Sequence, residues 1–255
     1  MYNTFTKSNL DDYFKELAKE YKKLKGRFLP AEIVLVGGAA ILTQYGFRDM
    51  TVDIDAVIYS SSSMQEAINV IGDRFNLPNR WLNPDFVKTA SYSDALTEIS
   101  RYYKSYYNVL TVRVVPAEYL IAMKLRSERK YKHDLSDVVG IMAEHQKKQK
   151  NITYDDVYNA VVKLYGSWNV LSKEAKRFFD KVLKTNDLEG LYKKIKKQEL
   201  EAEKILVDFG DRYPNVANGS NVDDILRTLR TKDKKNKRSI WPLIFFAYSS
   251  REVPG

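Results

Sequence analysis

Apolar positions near the start of the chain recur every three or four places, at Leu10, Phe14, Leu17, Tyr21 and Leu24. That period puts them on one face and predicts an amphipathic helix over residues 8–25. Ser8 or Asn9 suits its N-cap, Asp11 and Asp12 its positive end, and Gly26 its stop. The pattern then changes to short apolar runs. A β-branched run ends at Val36 and breaks at Gly37-Gly38, a small-residue helical segment covers 39–45, and Gly46 turns the chain. A second apolar run ends at Ile58 and carries two carboxylates, Asp53 and Asp55. After a polar break at 60–63, a helix is expected over 64–75 and an irregular stretch, holding Trp81, over 78–84. Residues 101–107 and 109–115 read as strands, Pro116 opens a helix through 127, and another begins near Asp134 with Leu135, Val138, Val139 and Met142 inward.

The second half has a different texture. Lys147-Lys148-Gln149-Lys150 is charged and poor in apolar residues, and marks a boundary between a domain over 1–147 and a helical one over 148–255. Helical periodicity returns at 154–164, 173–185 and 188–207, and 211–220 is a loop rich in Pro, Asn and Gly. A short helix starts at Asn221, 232–238 is a basic loop, and 241–248 is an apolar stretch suited to docking on the body. The expected architecture is α/β, a small mixed sheet flanked by helices, followed by helices alone.

The chemistry concentrates between Val34 and Ile58. Alternate residues of a strand share a face, so Asp53 and Asp55 project together with Ile54 opposite. Paired carboxylates repel unless a cation lies between them, which suits a divalent metal such as Mg²⁺ or Mn²⁺. Gly37 and Gly38 remove side chains where a strand meets a helix start, whose exposed N–H groups suit phosphate oxygens. The bland alternative is a glycine turn followed by an edge strand with a solvated acidic face.

This unit resembles the minimal nucleotidyltransferases of the DNA polymerase beta superfamily, through Gly37-Gly38, Arg48, Thr51 and Asp53-Ile54-Asp55. Residues 39–52 form a longer spacer than the superfamily's usual one. In that respect the chain looks like the branch holding AbiEii-type toxins. The resemblance implies a nucleotidyltransferase fold, an NTP bound through Gly37, Gly38, Arg48 and Thr51, and Mg²⁺ (or Mn²⁺) on Asp53 and Asp55. It extends to a lysine on a helix after the sheet and a downstream aspartate, matched by Lys124 and Asp134, with Asp137 a weaker candidate. The toxin branch further implies an RNA acceptor, tRNA among the possibilities, and a cognate antitoxin protein as partner. Many members of the superfamily carry a third metal-binding acid on the strand that here reads VLTVRVV; this strand offers Arg113 instead.

Composition and charge narrow the setting. Of 255 residues, 44% are hydrophobic and 29% charged, the balance of a folded protein rather than a disordered one. No cysteine is present, which excludes disulfides and thiolate metal sites and fits a reducing cytoplasm. The N-terminus lacks the apolar core of a signal peptide, and no run is long enough to cross a bilayer. The net charge of +9 suits anionic partners, nucleotides and nucleic acid first. The excess is spread: residues 1–150 hold 22 basic and 18 acidic residues, leaving +4, with +5 in the remainder. Neither His133 nor His145 has a partner at ligand spacing, which argues against zinc.

Three features carry competing readings. RYYKSYY, residues 101–107, interleaves basic and aromatic residues, as a base-stacking strand would; tyrosine-rich strands more often pack one face and wet the other. Lys124 falls between Leu120 and Ile121 on the inward arc, facing Asp53, Asp55 or a phosphate, or else snorkelling to the surface. Asp134 and Asp137 sit where helix starts favour acids as caps. Together these lead to a metal-dependent transfer of NMP from an NTP, with the cleft between two domains and the basic helices, including Lys193, Lys194, Lys196 and Lys197, guiding RNA; the motif specifies only the donor half, and a small molecule or a protein hydroxyl stays open as acceptor. The competing class is a non-catalytic module of the same fold that binds nucleic acid or a protein.

Overall fold

Five short strands form one mixed sheet in the order β3-β2-β1-β5-β4. They are β1 (Ala31–Leu35), β2 (Ile54–Tyr59), β3 (Leu82–Asn83), β4 (Arg101–Tyr106) and β5 (Leu110–Val114). In the central trio β1 runs antiparallel to β2 and parallel to β5. The computed structural model describes residues 4–26, 29–129, 132–218 and 221–233. Most of the basic loop expected over 232–238, and all of the apolar stretch 241–248, lie outside those residues.

The described residues also form ten α-helices: α1 (Lys7–Tyr21), α2 (Gly37–Gln44), α3 (Ser63–Arg74), α4 (Leu96–Ile99), α5 (Ala117–Ser127), α6 (Asp134–Lys147), α7 (Tyr154–Tyr165), α8 (Lys173–Leu183), α9 (Leu188–Arg212) and α10 (Val222–Asp233). This is the α/β architecture expected of a nucleotidyltransferase. α1 starts earlier than expected because Thr6, not Ser8 or Asn9, is the N-cap, in a capping box with Asn9. The expected apolar face holds: Leu10, Phe14, Leu17 and Tyr21 are buried. β3 and the short α4 fall in stretches whose pattern is too brief to register a period. β3 is pinned by its neighbours instead, since Trp81 and Leu82 are buried and the Trp81 indole donates to the Ile68 carbonyl at 3.0 Å.

The chain forms two compact units, Met1–Glu128 with Asp134–Tyr192, and Arg129–His133 with Lys193–Gly255. Lys147-Lys148-Gln149-Lys150 falls inside the first of these, because α7 and α8 pack on α5. The second unit has its own apolar contacts, with Ala202, Phe209, Val222, Ile225 and Leu226 buried. Within it His133 Nδ1 lies 3.9 Å from Glu199 Oε2. Among the described residues no helix is long and apolar enough to cross a membrane.

Candidate active site

β1 and β2 place the glycines against the carboxylates. Leu35 pairs with Ala56, and the Val36 N–H donates to the Asp55 carbonyl at 3.1 Å, so the chain leaves β1 directly beside Asp55. Gly37 then takes φ +55°, a left-handed conformation that L side chains rarely adopt. Its own Cβ would have room, 3.5 Å from Asp55 Oδ2, so conformation is what requires glycine there. Gly38 is required by space: a Cβ would lie 2.7 Å from Thr51 Oγ1 and 3.1 Å from Arg48 Nη2. α2 opens at this pair with no side-chain cap from Val36. The first N–H groups of a helix have no partners within it, and they carry the positive end of its dipole. The arrangement is a bare, positive backbone turn with a guanidinium beside it.

Thr51 is held from both sides. Its backbone exchanges hydrogen bonds of 2.8 and 2.9 Å with Phe5, which is fully buried. Its hydroxyl donates to the Asp53 carbonyl at 3.1 Å and lies 3.5 Å from Asp53 Oδ1. Asp53 therefore sits just before β2, while Asp55 lies within it, both half-buried, with Ile54 between them buried on the other face. Asn83 of β3, which pairs with Asp55, donates its amide to Asp55 Oδ1 at 3.0 Å.

Lys124 is neither at the surface nor on the Asp53-Asp55 pair. It is 8% exposed, and its ammonium lies 2.9 Å from Asp134 Oδ1 and 2.8 Å from Asp137 Oδ2. This corrects both the snorkelling reading and the one that faced Lys124 to Asp53 and Asp55, and the physical reason is local: α6 presents two buried carboxylates to α5, and a buried ammonium needs matched charge. Burial works against the charge on Lys124, but Asp137 and Asp134 overcome it and hold its pKa above the ordinary lysine value. Asp134 and Asp137 are buried ion-pair partners, rather than the exposed capping residues that helix starts commonly carry. Asp137 also receives Arg48, whose Nη1 donates to its two oxygens at 2.9 and 2.7 Å.

The residues singled out in the sequence thus form one connected set. Asp55 touches the Gly37 position, Gly38 abuts Thr51 and Arg48, Thr51 leads to Asp53, and Arg48 is tied through Asp137 to Lys124 and Asp134. Asp137 is more central than its sequence position suggests, because it binds both Arg48 and Lys124. Asn83 carries no sequence signal for this site; preceding Pro84, it reads as a turn residue. Gly140 has a second spatial duty, since a Cβ there would meet the Phe47 ring at 2.6 Å. It lets α6 approach the segment that carries Arg48.

Asp53 and Asp55 are the residues that could hold a divalent metal. Among the described residues no group of three or more acids or histidines could do so. Arg113 occupies β5 opposite Val34, with its guanidinium on Ser100 Oγ at 2.8 Å and 3.7 Å from Glu32. Two carboxylates fit Mg²⁺, which keeps waters and commonly completes its shell with substrate phosphates.

A family model described as a nucleotidyltransferase of unknown function (DUF6036) matches residues 12–145, just over half of the chain and the whole connected set from Gly37 to Asp137. No curated protein and no solved structure matches.

Proposed function

This chain belongs to the nucleotidyltransferases of family DUF6036, and on that premise we propose that it moves an NMP from an NTP to an acceptor, with RNA as the acceptor class. The single observation that carries the reading is the register that sets Gly37, in its left-handed conformation, against Asp55. It joins a backbone phosphate cradle to a metal-binding carboxylate in one unit. The α2 N-terminus and Arg48 would bind the triphosphate oxygens, and Gly38 gives them close approach. Arg48 is held in place by Asp137, which also receives Lys124.

A divalent cation on Asp53 and Asp55 would supply neutralisation of charge on the phosphates and departing pyrophosphate. In the reaction, an acceptor hydroxyl oxygen bonds to the α-phosphorus, the bond from that phosphorus to the β-bridging oxygen breaks, and the hydroxyl proton passes to solvent. Thr51 fixes the loop that delivers Asp53, and Asn83 orients Asp55. RNA is supported by the toxin-like glycine and spacer pattern and by the exposed Lys193, Lys194 and Lys197. A toxin role with a cognate antitoxin belongs to the same proposal.

A second reading, a module that binds nucleotide or nucleic acid without transfer, is favoured by one observation: among the described residues no third acid joins the pair, and β5 carries Arg113. Incubating the protein with each α-labelled NTP, Mg²⁺ and total cellular RNA separates the two. Label entering RNA with wild type, but not with Asp53→Asn, supports transfer. NTP binding with no label entering RNA, protein or small molecules supports the module.

A further inference from the structure

We propose that Asn83 is a positioning residue for the metal pair, and that its neutral amide makes the site accept its metal together with a nucleotide rather than alone. The inference rests on the nucleotidyltransferase reading of Asp53 and Asp55. Both ends of the amide are committed. Nδ2 donates to Asp55 Oδ1 at 3.0 Å, and Oδ1 accepts from the Asp85 N–H at 3.1 Å, capping the tight turn Pro84–Lys88. The second bond fixes which end faces the site, because only an oxygen can meet a backbone N–H.

The backbone that carries Asn83 is itself anchored. Its register partner in the parallel β2-β3 pair is Asp55, and the preceding Trp81 carbonyl accepts from the Ile54 N–H at 3.1 Å. Trp81 and Leu82 are buried, so the amide projects from a fixed base. Carboxylates that ligate metals are commonly oriented by hydrogen bonds of this kind from a neighbouring side chain. An amide donor does this without adding negative charge beside the pair.

The number of charges then sets the binding order. Metal affinity at oxygen sites rises with the count of charged ligands. An aspartate at position 83 would give three carboxylates; Asn83 keeps the count at the two of Asp53 and Asp55. A free cation is held weakly by such a pair, and phosphate oxygens complete its shell. The substrate is accordingly the metal–NTP complex, not free metal followed by NTP.

Mn²⁺ uptake, followed by the loss of the free-ion paramagnetic resonance signal, tests this without any turnover. The arms are Mn²⁺ alone and Mn²⁺ with α,β-methylene nucleoside triphosphates, each base in turn. Wild type should bind Mn²⁺ weakly alone and tightly with nucleotide. N83A should lower the nucleotide-assisted affinity by about 10- to 100-fold. N83D keeps the acceptor for Asp85, so it preserves the turn, and should raise affinity for Mn²⁺ alone by about tenfold. Adding Asp55→Asn to N83D should abolish that gain. A purely structural role would not strengthen metal binding in any variant. If both variants match wild type in both arms, the role of Asn83 is overturned while the nucleotidyltransferase reading stands. If wild type takes up no Mn²⁺ even with nucleotide, that reading falls and this inference with it.

Discussion

Arg48 and Asp137, 89 residues apart in sequence, meet through one guanidinium nitrogen that donates to both carboxylate oxygens. The pair ties the segment between α2 and β2 to α6, and so couples the glycine turn to the helical layer behind it. Asp137 is 3% exposed in its side chain and also receives Lys124. Removing it takes one of two carboxylates from buried Lys124 and the bidentate partner from half-buried Arg48. Asp137→Ala should cost about 3–5 kcal/mol of stability. Urea unfolding measures this; a loss below 1 kcal/mol, roughly that of an exposed pair, would contradict the burial argument.

Lys124→Met leaves Asp134 and Asp137 buried with less positive charge, and should likewise lower stability by about 3–5 kcal/mol at neutral pH. A lysine serving only as a phosphate contact would leave stability nearly unchanged. The pH dependence adds a signature. The folded pKa of Lys124 lies above 10.5, so its contribution is complete below that value and is lost as pH rises through the folded pKa. Melting temperatures in alkali should therefore converge for wild type and Lys124→Met. Parallel curves up to denaturation would contradict the ion pair.

The acid limb should depend on Asp11. Burial raises its pKa, but bonds from Lys104, Tyr106 and Tyr103 outweigh that and hold it below 3.8. Its contribution is present above 3.8 and is lost as pH falls through the depressed folded value. Asp11→Asn should flatten the stability curve in that window. Melting between acid and neutral pH checks this, and an unaltered acid limb would count against it.

Much of this is legible in the sequence alone. The glycine pair and the Asp53-Asp55 pair are adjacent in sequence to the elements they serve, and the period of two puts Ile54 behind them. The helix faces are equally plain, because α1 and α5 bury what their period says. Lys124 is recognisable as an inward lysine, but its partners are not, since helical periodicity gives a face and not what meets it. Asn83 is invisible for a related reason: β3 is two residues long, and only pairing with β2 brings its amide to Asp55.

The two glycines near the site offer a paired test with a built-in control. Gly38→Ala drives a Cβ to 2.7 Å from the buried Thr51 hydroxyl, so something in the Thr51–Arg48 packing must move. It should cost about 1–3 kcal/mol and weaken NTP binding. Gly46→Ala meets nothing within 4 Å and should stay within about 0.5 kcal/mol of wild type. Equal effects of the two substitutions would remove the steric argument for Gly38.

The central claim, that Asp53 and Asp55 jointly carry a metal–nucleotide complex, is tested most directly by calorimetric titration of a non-hydrolysable Mg²⁺–NTP. Wild type and the Asp53→Asn, Asp55→Asn double variant are compared, with folding checked by circular dichroism. Binding by wild type and its loss in the folded double variant is the expected result. Equal binding by the two would contradict the claim.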